Sequence, residues 1–212
     1  MIQDLHSHTY YSFCGKDSPE AIVEAAIDGG IELFGICDHN HGIGFGRKDA
    51  FKAPPEVIPN EYSPVSLRRY YDHIALVKEK YADRIRVLCG IEITAHLNIP
   101  KIALPADADV SFFDYCMIEN PDEDPYRYFR RMAEQNIFWE MNVSYDSIHK
   151  YREHPYMLAF FQNPEQQAIV RESGVRLSVG FDGHRVWDYL PDRVAGYCKK
   201  LTELGIKMPF EE

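Results

Sequence analysis

Short apolar runs of strand length alternate with amphipathic stretches of helical period along the whole chain, the signature of βα units around a parallel sheet or barrel. The runs predict strands at Ile2 to His6, Leu33 to Cys37, Ile85 to Ile93, Phe112 to Ile118, Ile137 to Val143 and Arg176 to Phe181. Between the first two, Ser18-Pro19 marks a helix start with proline in its first turn, and Gly29-Gly30 marks the stop. Leu67, Tyr70, Tyr71, Ile74, Val77 and Tyr81 make one apolar stripe of a helix from Val65 to Ala82. Pro191 and Gly205 bracket a last helix. Gly42 to Pro64 mixes glycine, proline and charge without a period and predicts a long loop, a kind of segment that often carries function. No repeat or linker divides the chain, so we expect one α/β domain over residues 1–212.

The residues able to bind metal gather where these strands end. In β/α barrels the C-terminal ends of the strands form the active-site face. His6-Ser7-His8 puts two imidazoles on one side of an extended backbone, and Asp182-Gly183-His184 repeats that spacing after the last strand. Asp38-His39 ends the second strand, and Glu92 lies near the end of the third. Each pair alone is a weak signal, since two exposed histidines on an edge strand look the same. Glu92 says more, because a carboxylate in an apolar strand is costly unless it is paired or bound to a cation. Four strands thus predict one metal-binding mouth, and mixed imidazole and carboxylate donors suit zinc, iron or manganese.

Composition narrows the function. At 45% hydrophobic and 26% charged, 212 residues suffice for one sizeable core. The formal charge of −10 disfavours nucleic acid as a partner, but a small phosphorylated substrate is compatible with it if metal ions supply local positive charge. No apolar run approaches membrane-spanning length, and Met1-Ile2-Gln3-Asp4 lacks the features of a signal peptide, so a soluble cytoplasmic protein is expected. The five cysteines form no C-x-x-C pair, and Cys37, Cys89 and Cys116 are expected as buried free thiols.

The motifs resemble those of the polymerase-and-histidinol-phosphatase (PHP) family. Asp4-Leu5-His6-Ser7-His8-Thr9 with Ser12 is similar to its first motif, and Cys37-Asp38-His39-Asn40 to its second. Gly90-Ile91-Glu92-Ile93 resembles the glutamate strand, Trp139-Glu140-Met141-Asn142 the late E-x-N strand, and Gly180-Phe181-Asp182-Gly183-His184 the closing D-x-H motif. Tyr70 to Glu92 most resembles the histidinol-phosphatase branch. The resemblance implies a distorted β/α barrel of six or seven strands, up to three divalent transition metals, and hydrolysis of a small phosphomonoester, with histidinol phosphate as the first candidate. Carried over, His6, His8, Glu92 and Asp182 would hold one ion, Glu92 would bridge to a second, and His39 and His184 would hold a third. Glu92 would fix the metal spacing, and Asp38 would orient His39 or carry a proton.

The sequence also departs from the family pattern. Cys14 stands where a third ligand to the His39–His184 ion is usual, and a thiolate is a competent zinc ligand. The two histidines usual on the fourth and fifth strands have no clear counterpart, leaving His96, Glu119 and Asn120 as substitutes, with a lost strand or one concealed in Asn98 to Asp109. His73, His149 and His154 are expected to be solvated, while His41 follows the second motif and could face the mouth. Lys16, Arg47 and Arg185 are expected as surface cations, with phosphate contact as the other role. Two other functions fit less of the pattern: a degenerate PHP domain that binds metal without catalysis, and an amidohydrolase-type C–N hydrolase, which shares H-x-H but not Asp38-His39 or the Glu92 strand.

Overall fold

The computed structural model describes residues 1–45, 62–94, 104–105, 107–119, 126 and 129–211. All six expected strands form: β1 (Gln3–Asp4), β2 (Leu33–His39), β3 (Arg86–Thr94), β4 (Tyr115–Glu119), β5 (Trp139–Asn142) and β6 (Leu177–Gly180). The helices are α1 (Pro19–Asp28), α2 (Asn40–Phe45), α3 (Pro64–Tyr81), α4 (Phe129–Glu134), α5 (Pro155–Gln162), α6 (Pro164–Ser173) and α7 (Pro191–Glu203). Strands β1 to β4 pair in parallel in that order, and β5 pairs in parallel with β6. Leu5 N–H donates to Val179 O at 2.9 Å and His8 N–H to Gly183 O at 2.7 Å, which seats β6 beside β1. The result is a curled parallel sheet, a half-barrel backed by helices.

Helix ends follow the chain's own signals. The Ser18 side chain accepts the Ala21 N–H ahead of Pro19, and Ser63 caps α3 in the same way ahead of Pro64, each cap being worth about 1 kcal/mol. Leu67, Tyr70, Ile74, Val77 and Tyr81 of α3 are buried at the three- and four-residue spacing that a helix needs to lay one face on a sheet. No helix among the described residues is long and apolar enough to cross a membrane.

Strand alternation sorts the core in two. Phe34, Ile36, Val87, Cys89 and Ile91 pack outward against the helices, while Leu5, Leu33, Cys37, Leu88 and Tyr115 form a smaller cluster inside the curl. Tyr115 fills that interior. A Cβ on Gly90 would lie 2.4 Å from its ring and one on Gly35 2.2 Å from its hydroxyl, so both positions are glycine for close approach. The same hydroxyl donates to Leu5 O at 2.6 Å. Two residues beyond Cys37 and Gly90, the same inward alternation brings His39 and Glu92 to the mouth as register partners.

Some expectations are corrected. The expected loop from Gly42 begins as helix, since α2 runs on to Phe45, and residues 46–61 lie outside the described residues. The fourth strand starts at Tyr115 rather than Phe112, because the Asp114 carboxylate takes the Cys89 N–H at 2.7 Å and ends the turn there. Cys116 is exposed, since β4 closes the four-stranded sheet and turns that side chain outward. Of the stretch proposed to conceal a strand, residues 104, 105 and 107–109 form none, and the rest lies outside the described residues.

Candidate metal centre

His6, Ser7 and His8 are wedged between β2 and the chain after β6. Ser7 O accepts the Cys37 N–H at 2.9 Å, and Ser7 Oγ donates to Gly35 O at 2.7 Å. His6 Nδ1 lies 2.8 Å from Glu140 Oε1, and Gly180 makes this pair possible, since a Cβ there would sit 2.1 Å from that oxygen. His8 Nδ1 faces Ser12 Oγ at 3.3 Å. With both outer nitrogens turned to acceptors, the two Nε2 atoms face each other at 3.0 Å. Two lone pairs at that distance repel unless a cation, a proton or a metal ion, joins them. Burial opposes charge on His6, but Asp182, Glu140 and Glu92 hold its pKa well above the ordinary value. Burial and the neighbouring His39 push His8 down to about 3.

Two carboxylates complete a compact donor set. Glu92 Oε2 lies 3.7 Å from His6 Nε2 and 3.5 Å from His8 Nε2, and Asp182 Oδ1 lies 3.5 and 3.1 Å from the same atoms. Ligand atoms bound tetrahedrally at about 2.0–2.1 Å are about 3.3 Å apart. The five separations fall around that edge length, so the two imidazoles with either carboxylate fit a zinc-sized ion. Glu92 Oε2 is buried and faces His39 Nδ1 at 2.8 Å as well as the two Nε2 atoms. Burial would raise both carboxyl groups, yet His6 and the surrounding histidines hold Glu92 and Asp182 well below the usual carboxylate range. Asp182 has a backbone φ of 56°, a left-handed conformation that aspartate tolerates better than most residues, at the turn following β6.

Further donors flank this set. His8, Cys14 and His184 offer atoms within 4.8 Å of one another, as do His8, His39 and Glu92. The His39 and His184 rings stack on His8 at 4.5 and 4.9 Å. The converging groups therefore place His39 with Glu92 and His184 with Cys14, where the resemblance implied a shared ion. Burial pushes the Cys14 thiol up, with Asp182, Asp38 and Glu92 adding to the shift, so a cation would be needed to draw out its thiolate.

The structure brings His6, His8, Cys14, His39, Glu92, Asp182 and His184 together at the mouth. Asn120 and His96 lie outside the described residues, as does Arg47. Asp38 is fully buried and turns away from the His39 ring. Its oxygens accept the Thr9 N–H at 2.8 Å, the Thr9 hydroxyl at 2.7 Å and the Ser12 hydroxyl at 2.5 Å. Ser12 Oγ in turn accepts the His39 N–H at 2.9 Å, so Asp38 acts on the mouth through Ser12. His149 and His154 are not solvated as expected. His149 is clamped between Asp146 and Asp182, which outweigh its burial and raise it to about 10, and His154 meets the Ser144 hydroxyl at 3.0 Å. His73 is half-buried on the Tyr11 hydroxyl at 2.9 Å. Lys16 is exposed at the surface, while Arg185 donates to Ser147 Oγ at 3.0 Å. Glu140, Asn142, Asp146 and His149 were not given contacts at the mouth from sequence. The i, i+2 pair Glu140 and Asn142 on a short strand was the available signal for the first two.

The PHP domain profile matches residues 4–185. No curated protein matches the chain by sequence. Among solved structures, the chain is similar to histidinol phosphate phosphatase from Lactococcus lactis subsp. lactis Il1403, complexed with zinc, L-histidinol and phosphate. That likeness has a TM-score of 0.58 at 14% identity and covers 98% of this chain and 95% of that one. A candidate histidinol phosphatase from Listeria monocytogenes also aligns, at 15% identity with a TM-score of 0.41, over 97% of this chain and 92% of that one.

Proposed function

Since this chain belongs to the PHP domain family, we propose that it is a metal-dependent phosphoesterase acting on a small phosphomonoester. The observation that carries this reading is the convergence of His6, His8, Glu92 and Asp182 at the C-terminal end of the sheet, with both carboxylates 3.1 to 3.7 Å from the two Nε2 atoms. These four residues would hold one ion, and His184 with Cys14 would contribute to a second. A divalent ion there would supply the charge that neutralises phosphoryl oxygens and lowers the pKa of an attacking water.

The protein's own groups prepare that centre. Glu140 accepts the His6 Nδ1–H and so leaves Nε2 as the donor to the ion. Ser12, held by Asp38, does the same for His8. Glu92 extends the set from His6 and His8 to His39. Zinc, L-histidinol and phosphate in the Lactococcus lactis structure support a small phosphorylated amine as the first substrate to try.

A second reading, metal binding without turnover, draws on the two histidines usual in the family before the E-x-N strand, which have no clear counterpart in this sequence. Elemental analysis of the purified protein, with turnover of an aryl phosphate and of histidinol phosphate before and after chelation, separates the two. Chelator-sensitive turnover abolished by His8→Ala supports the phosphoesterase. Bound metal with no turnover supports the second reading, and no bound metal rules out both.

A further inference from the structure

Behind Asp182 and His184 lies a second layer that neither the family motifs nor the site reading assigns. The loop after β5 carries Asp146, which is fully buried, and His149 three residues on. Asp146 Oδ1 accepts from the His149 backbone N–H at 2.8 Å and lies 2.7 Å from its Nδ1. Its other oxygen lies 3.4 Å from His184 Nδ1. His149 Nε2 reaches Asp182 Oδ2 at 3.0 Å, where Asn142 Nδ2 also donates at 3.2 Å. The two oxygens of Asp182 therefore have separate surroundings. Oδ2 faces donors from the β5 strand and loop, while Oδ1 faces His6, His8 and His184 at 3.5, 3.1 and 3.5 Å.

We propose that Asp146 and His149 are positioning residues of the metal centre: Asp146 fixes the His184 ring with Nε2 inward, and His149 restricts Asp182 to binding through Oδ1 alone. The inference rests on the metal reading above. His184 then follows the pattern of His6 and His8, with an outer acceptor on Nδ1 and a free inner nitrogen, which fixes tautomer and ring orientation together. Asp182 is left with one oxygen placed between the His6–His8 pair and His184. A carboxylate with a free second oxygen can chelate one ion through both atoms. Donors on Oδ2 oppose that, so His149 controls the coordination number as well as the affinity.

The fully assembled chain carries the test, with zinc and cobalt(II) as probes. Competition against a chromophoric chelator should show Asp146→Asn weakening zinc binding about tenfold to a hundredfold, the range known for outer partners of metal ligands. In cobalt-loaded His149→Ala, the visible absorption should fall in intensity as Asp182 turns bidentate and coordination rises above four. His149→Gln, whose amide can still donate to Oδ2, should restore the wild-type spectrum, an outcome that a general packing role would not produce. It also keeps the test open if Asp146→Asn does not fold. Wild-type affinity and spectrum in folded Asp146→Asn and His149→Ala would overturn this inference while leaving the metal centre intact. Failure of the wild-type chain to take up either ion would overturn both.

Discussion

His39 and Glu92 sit opposite each other in the parallel β2–β3 register, with His39 Nδ1 2.8 Å from Glu92 Oε2. A parallel pair places register partners on the same face, so this contact follows directly from strand alternation. The carboxylate that meets His39 also approaches His6 and His8, which makes it the hinge between two donor groups. Glu92→Gln keeps the shape and removes the charge. We expect it to lower bound zinc by at least one equivalent per chain by elemental analysis, and a wild-type stoichiometry would exclude Glu92 as a ligand.

Glu140→Ala removes the outer acceptor of His6. Loss of such a partner costs about tenfold to a hundredfold in metal affinity, readable as a shifted midpoint in a chelator titration. Unchanged affinity would mean that β6 and Gly180 hold the His6 ring without Glu140.

Metal should also stabilise the fold, because the ligands come from β2, β3 and the segments after β1 and β6, which are adjacent only in the folded chain. At a free zinc concentration a hundred times Kd, linkage gives about 2.7 kcal/mol, and a chain of this size gains about 2–4 °C in Tm per kcal/mol. Calorimetry with and without chelator checks this. Equal Tm values would place the metal outside the native donor set.

Inside the curl, Gly90→Ala forces a methyl group into the Tyr115 ring. Overpacking of this kind costs about 1–3 kcal/mol, whereas Tyr115→Phe should cost about 0.5–1.5 kcal/mol for the hydrogen bond to Leu5 O. Urea denaturation of the two variants should rank them in that order.

The strands were legible because each is a compact apolar run between turn or helix signals, and the mouth was legible because His6, His8, His39, Glu92, Asp182 and His184 sit at or next to strand ends. Asp146 and His149 were not. Their loop, between Asn142 and Pro155, has no period to orient a side chain, so His149 looked like any polar-loop histidine. Its role depends on the turn that lets Asp146 take the His149 N–H and face it toward Asp182. The contacts of Asp38 were hidden for a related reason. Strand alternation turns it away from His39 beside it, and only the fold of residues 9–12 shows that its partners are Thr9 and Ser12. The start of α2 was hidden by the two glycines that weaken its helical signal.

The Tyr115 hydroxyl ties β4 to Leu5, the residue just before His6. The side chain works as a strut across the half-barrel, joining strands that are separated in the sheet by β2 and β3. Any outward swing of β4 must drag the carbonyl that precedes His6, or break a buried bond. The span between those two strands is thus set by the length of one phenol, and the glycines at 35 and 90 give that phenol room to lie flat.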